Sequence, residues 1–220
     1  MLKAGAISLS ILFLASLGFG QDTRFDASIN GGEAFTNTIT GNGIKQGATA
    51  GAEIFGSFRY HFKPKHSMLF TYGRTRNSQT YLANNNFHVV NSISEISGTY
   101  MFSPWPDRKW EPFFVAGGGA LIFKPDTTWV FFPDLPNNVP DRVQVNLGAS
   151  SQTEIAFHYG VGVDYRVPRT TRISLRIQYR GFLYKAPDFH VEPNSGSTVS
   201  FFTGGRQHMA IPSIGLLYRF

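Results

Sequence analysis

The sequence predicts an all-β fold: an eight-stranded antiparallel up-and-down transmembrane β-barrel. Three observations carry that expectation. The chain opens on an export-signal pattern, yet no later window offers the ~18 consecutive apolar residues of a spanning helix. Extended segments recur with apolar residues at every second position, the period of a strand with two different faces. Short and long connections alternate between those segments along the whole chain. Helices and closed barrels are the only structures whose backbone groups are satisfied inside lipid, so an exported chain of this kind reads as a barrel.

Residues 1–20, MLKAGAISLSILFLASLGFG, have a basic n-region (Lys3), an apolar h-region over about 4–17 and the small-x-small end Gly18-Phe19-Gly20. This is the three-part pattern of a secretory signal peptide, and residues 21–220 are expected to form one barrel domain. The chain has no cysteine, so no disulfide is available to hold an exported domain together. Charged residues make up 15% of it, against ~25% in ordinary soluble domains, while Phe numbers 21 and Tyr 9. The net charge is +6, but the basic residues are scattered singly and form no dense patch of the kind that binds nucleic acid; no nucleic-acid partner is expected.

The eight strands are expected at about 24–34, 48–62, 67–75, 87–102, 111–123, 152–167, 172–184 and 206–220. The first sets Phe25, Ala27 and Ile29 against Asp26, Ser28 and Asn30. The second sets Ile54, Phe58, Tyr60 and Phe62 against Glu53, Ser57, Arg59 and His61. The third alternates Met68, Phe70 and Tyr72. The fourth has Ile96, Gly98, Tyr100 and Phe102 on one face, although its first half, HVVNSIS, commits to neither period. The fifth places Phe113, Val115, Leu121 and Phe123 on its apolar face around a Gly-rich centre. The sixth is the most regular, with Ile155, Phe157, Tyr159, Val161, Val163 and Tyr165 against His158, Asp164 and Arg166. The seventh alternates Ile173, Leu175, Ile177 and Tyr179 with Arg176 and Arg180. The eighth runs to the last residue and includes Pro212, which lacks a ladder donor and leaves its upper part in question.

Strands 2–3, 4–5 and 6–7 are joined by the short turns KPKH, SPWPDRKW and PRTT. The other connections are longer polar loops such as TNTITGNGIKQG and TRNSQTYLANNN. Bacterial outer-membrane barrels have short periplasmic turns and long external loops, so an even strand count places both termini on the periplasmic side. The lower ends of alternate strands read GSFRYHF, GTYMF, GVDYRV and GLLYRF. Tyr60, Phe62, Tyr100, Phe102, Tyr165, Tyr218 and Phe220 then share one height with Trp105 and Trp110, an aromatic belt at a membrane interface.

On the signal peptide, the loop alternation, FHYGVGVDYRV (157–167) and the ending IPSIGLLYRF, the chain resembles the eight-stranded outer-membrane barrels of the OmpA-like and OmpW-like superfamily over essentially all of 21–220. The resemblance implies residence in the bacterial outer membrane. It implies an insertion signal at Ile214, Leu216, Tyr218 and Phe220, read by the barrel-insertion machinery. No peptidoglycan-binding domain is expected after the barrel. Lipid A deacylases share the architecture and carry a Ser two residues after a His; none of the six His here has one.

The inward parity carries Asp26, Glu53, Arg59, Glu95, His158, Asp164, Arg166, Arg176, Arg180 and Arg219. An eight-stranded barrel is just wide enough for side chains to fill, and buried charges must pair. The expectation is a lumenal charge network of Glu53, Arg59, Glu95, Asp164, Arg166, Arg176, Arg180 and Arg219 that plugs the barrel, with Arg176 or Arg180 paired to Glu53 or Glu95. A gated ion path through the same residues is the alternative. No nucleophile–base set, metal spacing or phosphate loop can be named, so no catalytic residue, metal or cofactor is expected.

The loop 124–151 holds Trp129, Phe131 and Phe132. An exposed aromatic patch needs a reason. Lidding the barrel mouth ranks first, ahead of leaning on lipid or lipopolysaccharide and of docking a surface partner. Lys63, Lys65, Arg108, Lys109, Arg169 and Arg172 in the short turns face anionic headgroups. The function expected is a structural or surface-interaction role with a plugged polar lumen. The competing readings are a narrow OmpW-like pore for small solutes and, behind it, a lipid-modifying enzyme.

Overall fold

A computed structural model describes residues 24–82, 86–131, 142–145, 151–168, 170, 172–191, 199–201 and 203–220, and of these only the backbone at 86–87, 127–131, 142–145, 190–191 and 199–201. The segment 1–20 read as a signal peptide lies outside the described residues, as does Phe132. Eight strands build the barrel wall: β1 (Phe25–Thr36), β2 (Gly51–Lys63), β3 (His66–Leu82), β4 (Asn86–Phe102), β5 (Trp110–Phe131), β6 (Gln152–Arg166), β7 (Ile173–Lys185) and β8 (Arg206–Arg219). Each pairs antiparallel with its neighbours in sequence. The sheet closes where β1 meets β8, from Asp26↔Arg219 to Thr36↔Met209. Closure removes both sheet edges, the condition for a strand structure in lipid.

The period-2 sequence sorts the side chains as a barrel requires. On β2, Glu53, Phe55, Ser57 and Arg59 are buried while Ile54 and Phe58 are exposed. The outer wall is apolar over its middle, with Ile29, Phe70, Ile96, Phe157, Ile177 and Leu216 all more than half exposed. In water such a belt would be far larger than the apolar patches soluble monomers show; in a bilayer it is the lipid-facing band. Glycine leaves room for two rings, one on each side of the wall. A side chain at Gly162 would strike the Phe113 ring in the lumen, and one at Gly181 would strike Tyr159, which lies across the outside of β7 to bond His208 at 2.8 Å.

The structure corrects three expectations and decides a fourth point that the sequence left open. First, β5 is turned over: Phe113, Val115, Leu121 and Phe123 are buried in the lumen, and Phe114 is 53% exposed outside. From Pro112 to Phe123 both faces of this strand are apolar or glycine, so alternation within that stretch could not choose between them. Second, β3 and β5 run on to Leu82 and Phe131, at 17 and 22 residues. Crossing needs ~9–11, so the wall rises well past the apolar band at the long-loop end. Trp129 and Phe131 therefore sit on strand backbone, opposite His88 and Asn86, and their side chains are outside the described residues. Third, part of the loop TNTITGNGIKQG is a hairpin, Ile39–Gly41 with Ile44–Ala48, which adds to the top of β3. Asn42 and Gly43 at its tip both have positive φ, 50° and 73°, the requirement of a tight two-residue hairpin turn. Fourth, β8 continues through Pro212, which stands opposite Tyr179 on β7. The missing donor shows on the other side, where the β1 ladder skips from Gly32↔Ser213 to Phe35↔Ala210.

Candidate functional site

The interior is filled in tiers. Nearest the short-turn end, Arg59 from β2 reaches across the lumen. Its Nε donates to Asp26 Oδ2 at 2.5 Å, its Nη1 donates to Asp164 at 3.2 Å, and the same nitrogen lies 3.8 Å from Glu111. Arg176 from β7 holds Asp164 in a fork, Nε to Oδ1 and Nη2 to Oδ2, both at 2.7 Å, the planar two-bond geometry that suits guanidinium to carboxylate. Arg219 donates to Glu111 at 2.9 Å. The guanidinium of Arg176 also lies 4.8 Å from the Phe113 ring centre. Arg59 and Arg176 are 1% and 0% exposed, so these charges have left water and are held chiefly by the carboxylates opposite them. Three guanidinium groups here meet three carboxylates, so the tier is close to neutral.

A layer of hydroxyls and amides follows, with Ser57 and Thr71 2.9 Å apart and Asn30 donating to Ser28 at 3.1 Å. Farther along the strands lies the second charged tier. Arg180 donates to Glu95, stands 3.6 Å from Glu53, and faces the Phe55 ring at 4.0 Å. Its Nε donates to His158 Nε2 at 3.4 Å, and Phe182 stacks on that ring at 4.4 Å. Beyond this tier the lumen turns apolar: Ala34, Val89, Ile93, Leu121, Phe123, Met209 and Ile211 pack with Tyr184 and Phe189. A final polar cap joins the hairpin to the wall. Gln46 donates to Gln79 at 2.8 Å and to Tyr81 at 2.9 Å, and Thr203 donates to Gln46 at 3.0 Å.

The two tiers thus bring together Glu53, Arg59, Glu95, Asp164, Arg176, Arg180 and Arg219. Arg180 is the residue between Glu53 and Glu95, while Arg176 belongs to Asp164; a shift of four residues along β7 separates the two tiers, and strand pairing places Arg176 directly opposite Asp164. Arg166 stands apart at the mouth, bonded to Asp107 of the turn at 2.6 Å. Glu111, unmentioned in the sequence reading of the lumen, is a full member of the lower tier. Its parity was the available signal, and the inverted face of β5 concealed it. Ile214, Leu216 and Tyr218 point outward from β8, and Phe220 donates its backbone N–H to Phe25 at 3.2 Å.

The short-turn mouth is a cavity of about 480 Å³ lined by Arg24, Asp26, His61, Lys63, Asp107, Glu111 and Arg219, among others. His61 links two groups there: Nε2 is 2.7 Å from Asp26, and Ser67 Oγ is 2.9 Å from Nδ1. A serine, a histidine and an aspartate in line resemble a nucleophile relay, but Ser67 is 3% exposed and does not line the cavity, and Asp26 is shared with Arg59. A substrate would have no approach to the hydroxyl. The chain of bonds ties the turn between β2 and β3 to β1.

No protein-family model matches the chain, and no curated protein does. Solved structures match it in fold. Neisserial surface protein A (NspA) is 15% identical, with 92% of this chain and 100% of that chain covered and a TM-score of 0.53. The outer membrane protein OprG from Pseudomonas aeruginosa is 14% identical, with 89% and 95% covered and a TM-score of 0.55. The outer membrane protease OmpT from Escherichia coli is 10% identical, with 93% and 99% covered and a TM-score of 0.50. The chain has the fold of the eight-stranded outer-membrane β-barrels. A likeness at this identity concerns the fold, and one of these proteins being a protease says nothing of catalysis here.

Proposed function

We propose that this protein is a plugged outer-membrane barrel whose role is structural or surface-interactive, with residues 1–20 serving as its export signal. The short-turn end then faces the periplasm and the extended strands rise outside the cell. One observation carries the reading: two tiers of fully buried, mutually paired charges and an apolar layer lie across the lumen in series. An ion entering would have to break pairs whose disruption costs about 3–5 kcal/mol each. Recording from the pure protein in a planar bilayer tests it. No unitary current is expected; discrete, reproducible conductance steps would establish the narrow-pore reading instead. For the lipid-modifying alternative, lipid A of an overexpressing strain is expected to keep its mass.

The insertion role of Ile214, Leu216, Tyr218 and Phe220 fits the outward face of the first three on β8 and the position of Phe220 directly after it. On the outer wall above the apolar band, Arg76, Ser92 and Lys124 stand in one row across β3, β4 and β5, with Arg74 two pairs lower. Arg74, Arg76 and Lys124 are exposed, at the level of the anionic groups of lipopolysaccharide. Arg76 already holds Asp126 at 2.6 Å. A surface partner would meet the segment 124–151 at the same end.

A further inference from the structure

The turn between β4 and β5 carries a second concavity, on the outside of the barrel. It has a volume of about 570 Å³ and is lined by Trp105, Arg108, Lys109, Trp110, Pro112 and Val163. That is within the range of small-ligand pockets, ~300–1,000 Å³, and its composition is divided. The floor is Pro112 on β5 opposite Val163 on β6. It continues into the lipid-facing band through Phe114 and Val161, which are opposite one another two pairs farther in and are 53% and 45% exposed. The walls are two indoles, Trp105 and Trp110, 55% and 57% exposed. Trp110 is braced by Tyr165, ring centres 4.4 Å apart, and Lys109 Nζ sits 5.4 Å from the same Tyr165 ring.

The rim is cationic, and the carboxylates nearest to it are bonded elsewhere. The carboxylate of the turn, Asp107, is bonded to Arg166 at 2.6 Å, and Glu111 points into the lumen toward Arg219. Among the described residues, neither Arg108 nor Lys109 has a carboxylate partner. A groove with two cations unmatched by carboxylate at its lip, two indoles as walls and an apolar floor leading into hydrocarbon matches one chemistry: an acyl chain ending in a negatively charged phosphate headgroup.

We infer that this groove is a binding site for an anionic glycerophospholipid of the inner leaflet of the outer membrane. The headgroup phosphate sits between Arg108 and Lys109, and the first acyl carbons lie over Pro112 and Val163. The inference rests on the transmembrane placement proposed above. It is narrower than a general attraction of basic turns to the membrane, because it assigns selectivity to one of the three short turns.

The test uses the full barrel with Trp129→Phe, which leaves Trp105 and Trp110 as its indoles. It is placed in phosphatidylcholine vesicles containing rising fractions of either brominated phosphatidylglycerol or brominated phosphatidylcholine, and indole quenching is read. Brominated phosphatidylglycerol is expected to quench with a relative association constant at least fivefold above the choline lipid. Each basic residue near a membrane surface is worth about fivefold. Arg108→Gln with Lys109→Gln is expected to bring the ratio close to one, while Lys63→Gln with Lys65→Gln, an equal loss of charge on another turn, leaves it in place. Equal quenching by both lipids, or equal loss in both double variants, overturns the site. Loss of the preference on adding millimolar inorganic phosphate makes it a phosphate site and overturns the lipid. If neither brominated lipid quenches, the bilayer placement fails along with the inference.

Discussion

Arg180 is surrounded by two carboxylates, a histidine and two aromatic rings, and its side chain is 2% exposed. Replacing it with Met leaves Glu53 and Glu95 buried with no cation, so Arg180→Met is expected to destabilise the barrel by about 3–5 kcal/mol, read by urea unfolding from lipid vesicles. Adding Glu53→Gln and Glu95→Gln removes the stranded charges and is expected to restore at least half of that loss. Arg172 makes the contrasting case. It is exposed and donates to the Tyr218 hydroxyl at 3.2 Å, and Arg172→Gln is expected to cost less than about 0.5 kcal/mol. A triple variant no more stable than Arg180→Met alone would mean the guanidinium is held for its packing on Phe55 and Phe182 and not for its charge.

At the scale of the element, the hairpin at Ile39–Ala48 is a separate attachment to the barrel. It meets the wall through four pairs, Lys45↔Leu82 to Ala48↔Gln79, and through Gln46. Its tip depends on Gly43, whose φ of +73° a β-branched residue does not tolerate. Gly43→Val is expected to weaken the hairpin by about 1–3 kcal/mol without opening the barrel. Amide exchange should rise at 45–48 and 79–82 and stay unchanged across the β1–β8 seam. The dipeptide Asn42-Gly43 between Ile39 and Ile44 was a legible hairpin signal inside a segment that read as polar loop. The extensions of β3 and β5 were less legible. Arg74, Arg76 and Lys124 break the apolar alternation because the wall there has left lipid, so a rule built on lipid-facing residues ends the strand too soon.

For the whole molecule, closure and filling act together. Every barrel strand has two partners, and the lumen contains charge tiers, an amide layer and an apolar layer in series. Such a structure should resist detergent at room temperature, so the unheated protein is expected to run as a compact, faster band on a denaturing gel and to shift on boiling. A single heat-insensitive band from a protein that is soluble without detergent would contradict the membrane reading altogether.

The sequence alone determined the strand count, the up-and-down order and the inward side of seven strands, because period-2 alternation is a local property and each of those strands has one polar face and one apolar face. It named the charged residues of the two lumenal tiers, all but Glu111, for the same reason. The tertiary structure decided which way β5 faces, since from Pro112 to Phe123 its two sides are equally apolar, Glu111 alone marks the inner one, and the Phe113 ring fits over Gly162 and beside Arg176. Only the stagger between strands decided who pairs with whom: it put Arg176 on Asp164, Arg180 between Glu53 and Glu95, and Glu111 within reach of Arg59. Pairing across a closed sheet depends on register summed around the barrel, and no single strand contains that quantity.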